Sequence, residues 1–125
     1  MTYKTLLFDL DDTLLDFTLS EEKSLDRVYY KFFQEEISNK ALFESEYHSV
    51  NRLCWDAVEE RRMAIRKLGV QRFRILCRNL GIELDCSQIA QVYESSLAQY
   101  ATWLPGAEEA VEVLSQYYSL GIITN

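Results

Sequence analysis

Strand-length apolar runs occur at two places, and these lie near opposite ends of the 125-residue chain. Residues 4 to 8 read as a short buried strand, Thr5-Leu6-Leu7-Phe8 leading into Asp9. Gly121 turns the chain into a second strand, Ile122-Ile123, which ends in Thr124-Asn125. The chain between them repeats at helical spacing. Two apolar strands with a helical crossover pack most simply as parallel neighbours joined by a right-handed connection, which predicts an α/β fold. Ligand sites in parallel sheets lie at the carboxyl ends of the strands. Asp9 and Asp11 end the first strand and Thr124 and Asn125 the last, so both polar clusters are expected at one place.

The crossover is far too long for one helix. Thr18 and Glu21 are spaced as a capping box. Leu25, Val28, Tyr29, Phe32 and Phe33 follow as an apolar stripe ending near Ile37. A long helical stretch is expected from Lys40 to Lys67, with Phe43, Tyr47, Val50, Cys54, Ala57 and Val58 on one side and a break or bend at Leu68-Gly69. Val70, Phe73, Leu76, Cys77 and Leu80 form a third stripe, with Gly81 suited to the position after it. Ser87 is placed to cap a fourth helix carrying Ile89, Val92, Tyr93, Leu97 and Tyr100. Pro105 opens a fifth, with Ala107, Ala110, Val111 and Leu114 as its buried face.

An apolar fraction of 48% argues against disorder. No apolar run approaches the roughly 20 residues that span a bilayer. Asp9, Asp11 and Asp12 interrupt the run a signal peptide would need. Cys54, Cys77 and Cys86 have no CxxC spacing and read as reduced thiols of a cytoplasmic protein. The net charge of −7 conceals a segment, 61 to 78, that holds seven cations and no acid. An acidic protein with one basic helix is a poor binder of nucleic-acid polymers. Arg62, Arg66, Lys67 and Arg72 are candidates for guiding a small anion, set against the plainer reading of a solvated helix face.

Three carboxylates in four residues repel one another unless a cation or proton is present. That arrangement points to Mg²⁺ and phosphate chemistry. A carboxylate can attack phosphorus, splitting hydrolysis into two steps. Asp9, first out of the strand, is the expected nucleophile. Asp11 is placed to give a proton to the leaving alcohol and to take one from the attacking water, and its negative neighbours raise its pKa. Thr124 and Asn125 offer donors for phosphoryl oxygens, and Thr13 braces the loop. An EF-hand is excluded, because Leu14 would fall at the required glycine and Ser20 at the required glutamate. The single histidine, His48, reads as a surface or packing residue.

Phe8-Asp9-Leu10-Asp11-Asp12-Thr13-Leu14 resembles the first motif of the haloacid dehalogenase-like (HAD) superfamily, and Leu120-Gly121-Ile122-Ile123-Thr124-Asn125 resembles its second. The resemblance implies a Rossmann-like parallel core with an inserted four-helix C1 cap. Residues 1–17 and 101–125 would then be a partial core and residues 18–100 the cap. It implies Mg²⁺ on the Asp9 carboxylate and the Asp11 backbone carbonyl, with Thr124 as the phosphate-binding hydroxyl. The second aspartate favours phosphatases over the dehalogenase branch. The opening through Asp16-Phe17, Asn51-Arg52-Leu53-Cys54-Trp55, Arg72-Phe73-Arg74, Leu80-Gly81-Ile82 and Leu104-Pro105-Gly106-Ala107 are similar to segments of bacterial pyrimidine 5′-nucleotidases.

The implied reaction is phosphomonoester hydrolysis through an aspartyl-phosphate, on a nucleoside monophosphate. The family's third motif, a lysine, and its fourth, an acidic metal site, have no counterpart in the chain. The 125 residues are therefore expected to be the N-terminal part of a longer enzyme, inactive alone and prone to self-association. The competing readings are a HAD phosphatase or phosphomutase acting on sugar phosphates, and a non-catalytic helical binding module.

Overall fold

In a computed structural model, residues 2–124 are described, and they form an α/β fold. β1 (Thr5–Asp9) and β2 (Ser119–Ile123) pair in parallel. Their register sets Thr5 opposite Ser119 and Asp9 opposite Ile123. The parallel pairing is the one expected from the two apolar runs. The burial is not. Leu6 and Phe8 are half-buried, but Leu7 is 60% exposed and Ile122 57%. Alternate side chains of a strand face opposite ways, so Leu7 and Ile123 share an open face, while Ile122 is exposed on the side of Phe8. Gly121 lies inside β2 and does not turn the chain into it. A β-carbon there would come within 2.8 Å of the tip of the exposed Leu7 side chain, which would have to turn aside.

Five α-helices lie between the strands: α1 (Phe17–Val28), α2 (Lys40–Glu59), α3 (Ile65–Leu80), α4 (Cys86–Gln99) and α5 (Ala107–Leu114). The stripes on α1 to α4 meet in one core. Phe33, Phe43, Tyr47, Phe73 and Tyr93 are fully buried there. Tyr47 stacks on Phe73 with ring centroids 5.8 Å apart, and Phe73 meets Tyr93 edge-on at 5.5 Å. Such pairs add about 0.5–1.5 kcal/mol each beyond their area burial. Tyr47 donates to the Tyr93 hydroxyl at 2.8 Å, so the buried phenols satisfy one another.

Several boundaries differ from the sequence expectations. Asp16, not Thr18, caps α1 by accepting from the Leu19 N–H. α1 runs on into a π-helical turn, Tyr29–Phe33, that keeps Tyr29 and Phe33 in the core. The long second stretch breaks at residues 60–64, where Arg61 takes φ +61°, rather than at Leu68-Gly69. Gly69 is interior to α3 and faces Glu94 of α4. Gly81 does end α3 in the left-handed region, and the Ile82 N–H closes the turn onto the Cys77 carbonyl. Asp85 caps α4 in place of Ser87. Gly106, at φ +81°, precedes α5, two residues' distance from where Pro105 alone would start it. Of the expected face of α5, Ala107 is buried, Val111 and Leu114 are half-buried and Ala110 is exposed.

Candidate active site

β1 ends at Asp9, and the chain folds at once into a tight loop. The Leu10 carbonyl accepts from the Leu14 and Leu15 N–H groups, both at 3.0 Å, and the Leu15 carbonyl accepts from Asp12 at 2.7 Å. Asp12 sits at φ +58°, a region that aspartate tolerates better than most residues. The loop is tied down on its far side. Asp16 N–H donates to the Thr102 carbonyl, and Leu104 N–H to the Leu14 carbonyl, each at 2.8 Å. The segment after α4 therefore clamps the loop that follows β1.

The three carboxylates take different partners. Asp9 Oδ2 accepts from the Thr13 hydroxyl at 2.9 Å. Asp12 accepts from both the backbone N–H and the hydroxyl of Thr18, at 3.0 and 2.9 Å. Asp12 thus ties the loop to the first turn of α1, a task the sequence did not single out. Asp11 has no hydrogen-bond partner for its carboxylate among the described residues. Partial desolvation, and then the charges of Asp9 and Asp12, push its carboxyl above the ordinary carboxylate range. The direction is the expected one, but loss of water outweighs the neighbouring charges as its cause.

Thr124 follows directly on Ile123, the register partner of Asp9, so it stands at the same edge of the sheet and is exposed. Asn125 lies outside the described residues. Among the described residues there is no group of three or more His, Cys, Asp or Glu side chains arranged to hold a metal ion. The Asp9 and Asp11 oxygens are hard donors of the kind Mg²⁺ takes, and fewer than three acidic side chains suits an ion that keeps several waters.

The four basic candidates separate. Arg62 Nε is bound to Glu60 Oε2 at 2.7 Å, while Arg66 and Lys67 are exposed at the start of α3. Arg72 is buried, only 7% exposed, and its Nη1 donates to Asn51 Oδ1 at 3.2 Å. It also lies 4.5 Å from the Tyr93 ring. Arg72 lines a cleft of about 680 Å³ between the loop after β1 and the helices, together with Asp11, Phe17, Asn51, Trp55 and Tyr93. In sequence Tyr93 lies on the apolar stripe of the fourth helix and Trp55 stands beside Cys54. Tyr93 is core, yet both also border the cleft. Periodicity alone does not bring them together, because Trp55 stands on α2 and Tyr93 on α4. His48 stays on the surface of α2, its Nδ1 3.9 Å from Glu21 Oε1.

No protein-family model matches the chain. It is 32% identical over 123 residues to a Bacillus subtilis protein named as a HAD-hydrolase, YfnB, covering 98% of this chain and 51% of that protein. It is 33% identical over 126 residues to the pyrimidine 5′-nucleotidase PynA of Streptococcus pneumoniae, covering 100% of this chain and 52% of that one. The crystal structure of YfnB bound to magnesium superposes with a TM-score of 0.86 at 31% identity, over 100% of this chain and 55% of that chain. The chain thus spans about half the length of the curated relatives it matches. No helix among the described residues is long and apolar enough to cross a membrane. In sequence and in fold, this chain resembles the haloacid dehalogenase-like hydrolases, a pyrimidine 5′-nucleotidase among them.

Proposed function

We infer that these residues form the strand-and-cap part of a Mg²⁺-dependent phosphomonoesterase acting on a nucleoside monophosphate. The carrying observation is that Asp9 and Thr124 end paired parallel strands at one edge, beside an Asp11 whose carboxyl is raised. Residues 1–17 and 101–125 belong on this reading to the catalytic core, and residues 18–100 to a helical cap that covers it. The resemblance to PynA supports a nucleotide as substrate, and the magnesium-bound YfnB supports the metal.

Thr13 occupies Asp9 Oδ2, which leaves Oδ1 to attack phosphorus. The new Asp9–phosphorus bond forms as the bond to the alcohol oxygen breaks. Asp11, protonated for this step, passes its proton to that oxygen. Water then attacks the same phosphorus, Asp11 takes its proton back, and the carboxylate of Asp9 is released with inorganic phosphate. The Thr124 hydroxyl, with Asn125, steadies the phosphoryl oxygens. The Asp9 carboxylate and the Asp11 backbone carbonyl would hold Mg²⁺, which when bound offsets the negative charge gathered at phosphorus. Arg62, Arg66 and Lys67 supply positive potential at the cap surface. Among the described residues no lysine or arginine is paired with Asp9 or Asp11, so the 125-residue chain alone is expected to be inactive.

The test is substitution in the enzyme that carries these residues. Asp9→Asn should abolish turnover and the trapping of phosphate on the protein while leaving the fold intact. Asp11→Asn should slow turnover by roughly 10²–10⁴-fold, the usual worth of general acid–base catalysis. Undiminished turnover in Asp9→Asn would end the nucleophile assignment.

A further inference from the structure

We propose that Arg72 determines substrate specificity: it recognises a carbonyl oxygen on the neutral, planar base carried by the leaving nucleoside. This rests on the phosphomonoesterase reading and adds to it the group that is read and the residue that reads it. Arg72 is 7% exposed, and no carboxylate lies within 4 Å of its guanidinium among the described residues. Its one side-chain hydrogen bond goes to a neutral amide, Asn51 Oδ1 at 3.2 Å, and Nε has no partner. A guanidinium presents five N–H donors in a fixed fork. Burying it without a carboxylate is costly, and the Tyr93 ring at 4.5 Å offsets only part of that cost. A leucine or methionine would fill the same space at less expense. An acceptor arriving in the cleft would supply what the guanidinium lacks.

The cleft defines that acceptor's chemistry. Apart from Arg72, its charged lining is acidic: Asp11, Glu21, Glu59 and Glu94. A second anionic group on the leaving portion, as in a sugar bisphosphate, would meet repulsion there. A carbonyl oxygen takes the guanidinium's donors without adding charge. Phe17 and Trp55 supply aromatic surface for a flat ring, and about 680 Å³ lies within the usual range for small-molecule sites. A nucleobase with an exocyclic oxygen meets all three conditions; a bare sugar lacks the flat face.

The experiment titrates the 125-residue chain with uridine, which carries the base but no phosphate. Trp55 fluorescence reports binding in a Trp103→Phe background, since these are the two tryptophans. Uridine should quench Trp55 saturably, and glucose 6-phosphate should neither quench nor compete. Arg72→Met should weaken uridine at least about tenfold, the scale of one lost charge-assisted hydrogen bond, without loss of helical circular dichroism. Arg72→Lys keeps the charge and loses the fork, and should weaken binding by a smaller factor. It decides the matter if Arg72→Met unfolds. Uridine binding unchanged in Arg72→Lys and Arg72→Met, absent in wild type, or displaced by glucose 6-phosphate would each overturn the proposal. These arms involve no phosphate chemistry. Intact activity in Asp9→Asn would overturn the nucleophile alone, and a uridine site independent of Arg72 would overturn this inference alone.

Discussion

Asp11 carries the tension of the site in one side chain. Its carboxyl is raised above the ordinary value of 3.8, first by lost water and then by Asp9 and Asp12. A raised pKa in the folded state means that the fold holds the Asp11 proton more tightly than the unfolded chain does. The stability this provides is complete below pH 3.8 and is lost as pH rises through the folded value. Above that folded value the ionised carboxylate therefore works against folding. Asp11→Asn should raise the thermal midpoint of the 125-residue chain at pH 7, and the gain should vanish as the pH falls toward 3.8. Paired melts of wild type and variant across that range measure it. A variant less stable than wild type at pH 7 would show that Asp11 is held by favourable contacts and is not a strained charge. Asp12 contrasts with it. Its two bonds to Thr18 make it the residue that sets the loop, while Asp11 is the one left free to exchange a proton.

Helix α3 shows where local sequence signals and packing disagree. Gly69 reads as a breaker, yet α3 continues through it from Ile65 to Leu80. The break falls instead at 60–64, with no glycine or proline to mark it and Arg61 in the left-handed region. A β-carbon at Gly69 would stand 2.5 Å from Glu94 Oε1, the tip of an exposed, flexible side chain that can swing away. Gly69→Ala should then gain most of the roughly 1 kcal/mol that separates glycine from alanine in a helix interior. Chemical denaturation measures the gain. A loss would mean that Glu94 is fixed where it stands. The apolar stripes of α1 to α4 and the two strand ends were legible in sequence because periodicity alone decides which faces meet. Caps were less so: Thr18, Ser87 and Pro105 each had an acceptable local pattern, and Asp16, Asp85 and Gly106 took the role instead. The pairing of Asp9 with the Thr124 edge was readable from strand order. The burial of Arg72 was not, since a run of seven cations looks like a solvated face until α2 and α4 close over one of them.

At the scale of the whole molecule, the helices and the strands stand differently toward water. α1 to α4 bury a shared aromatic core. Among the described residues β1 and β2 have only each other as strand partners, so both outer edges have unpaired backbone groups. Their open face adds apolar surface, with Leu7 60% and Ile123 56% exposed, and Ile122 on the other face is 57% exposed. Exposed edges beside exposed aliphatic side chains are a template for pairing with another copy, and a net charge of −7 slows that association without preventing it. The 125-residue chain should therefore show helical circular dichroism and oligomerise with rising concentration in light scattering. Ile123→Lys puts a charge on the open face beside Leu7 and should shift the population toward monomer while leaving the helical signal unchanged. If the wild-type chain stays a monodisperse species of 14.7 kDa at all concentrations, the sheet face does not drive association. If it oligomerises and Ile123→Lys changes nothing, the contact lies elsewhere, and the exposed Tyr117 and Val113 at α5 become the surface to alter next.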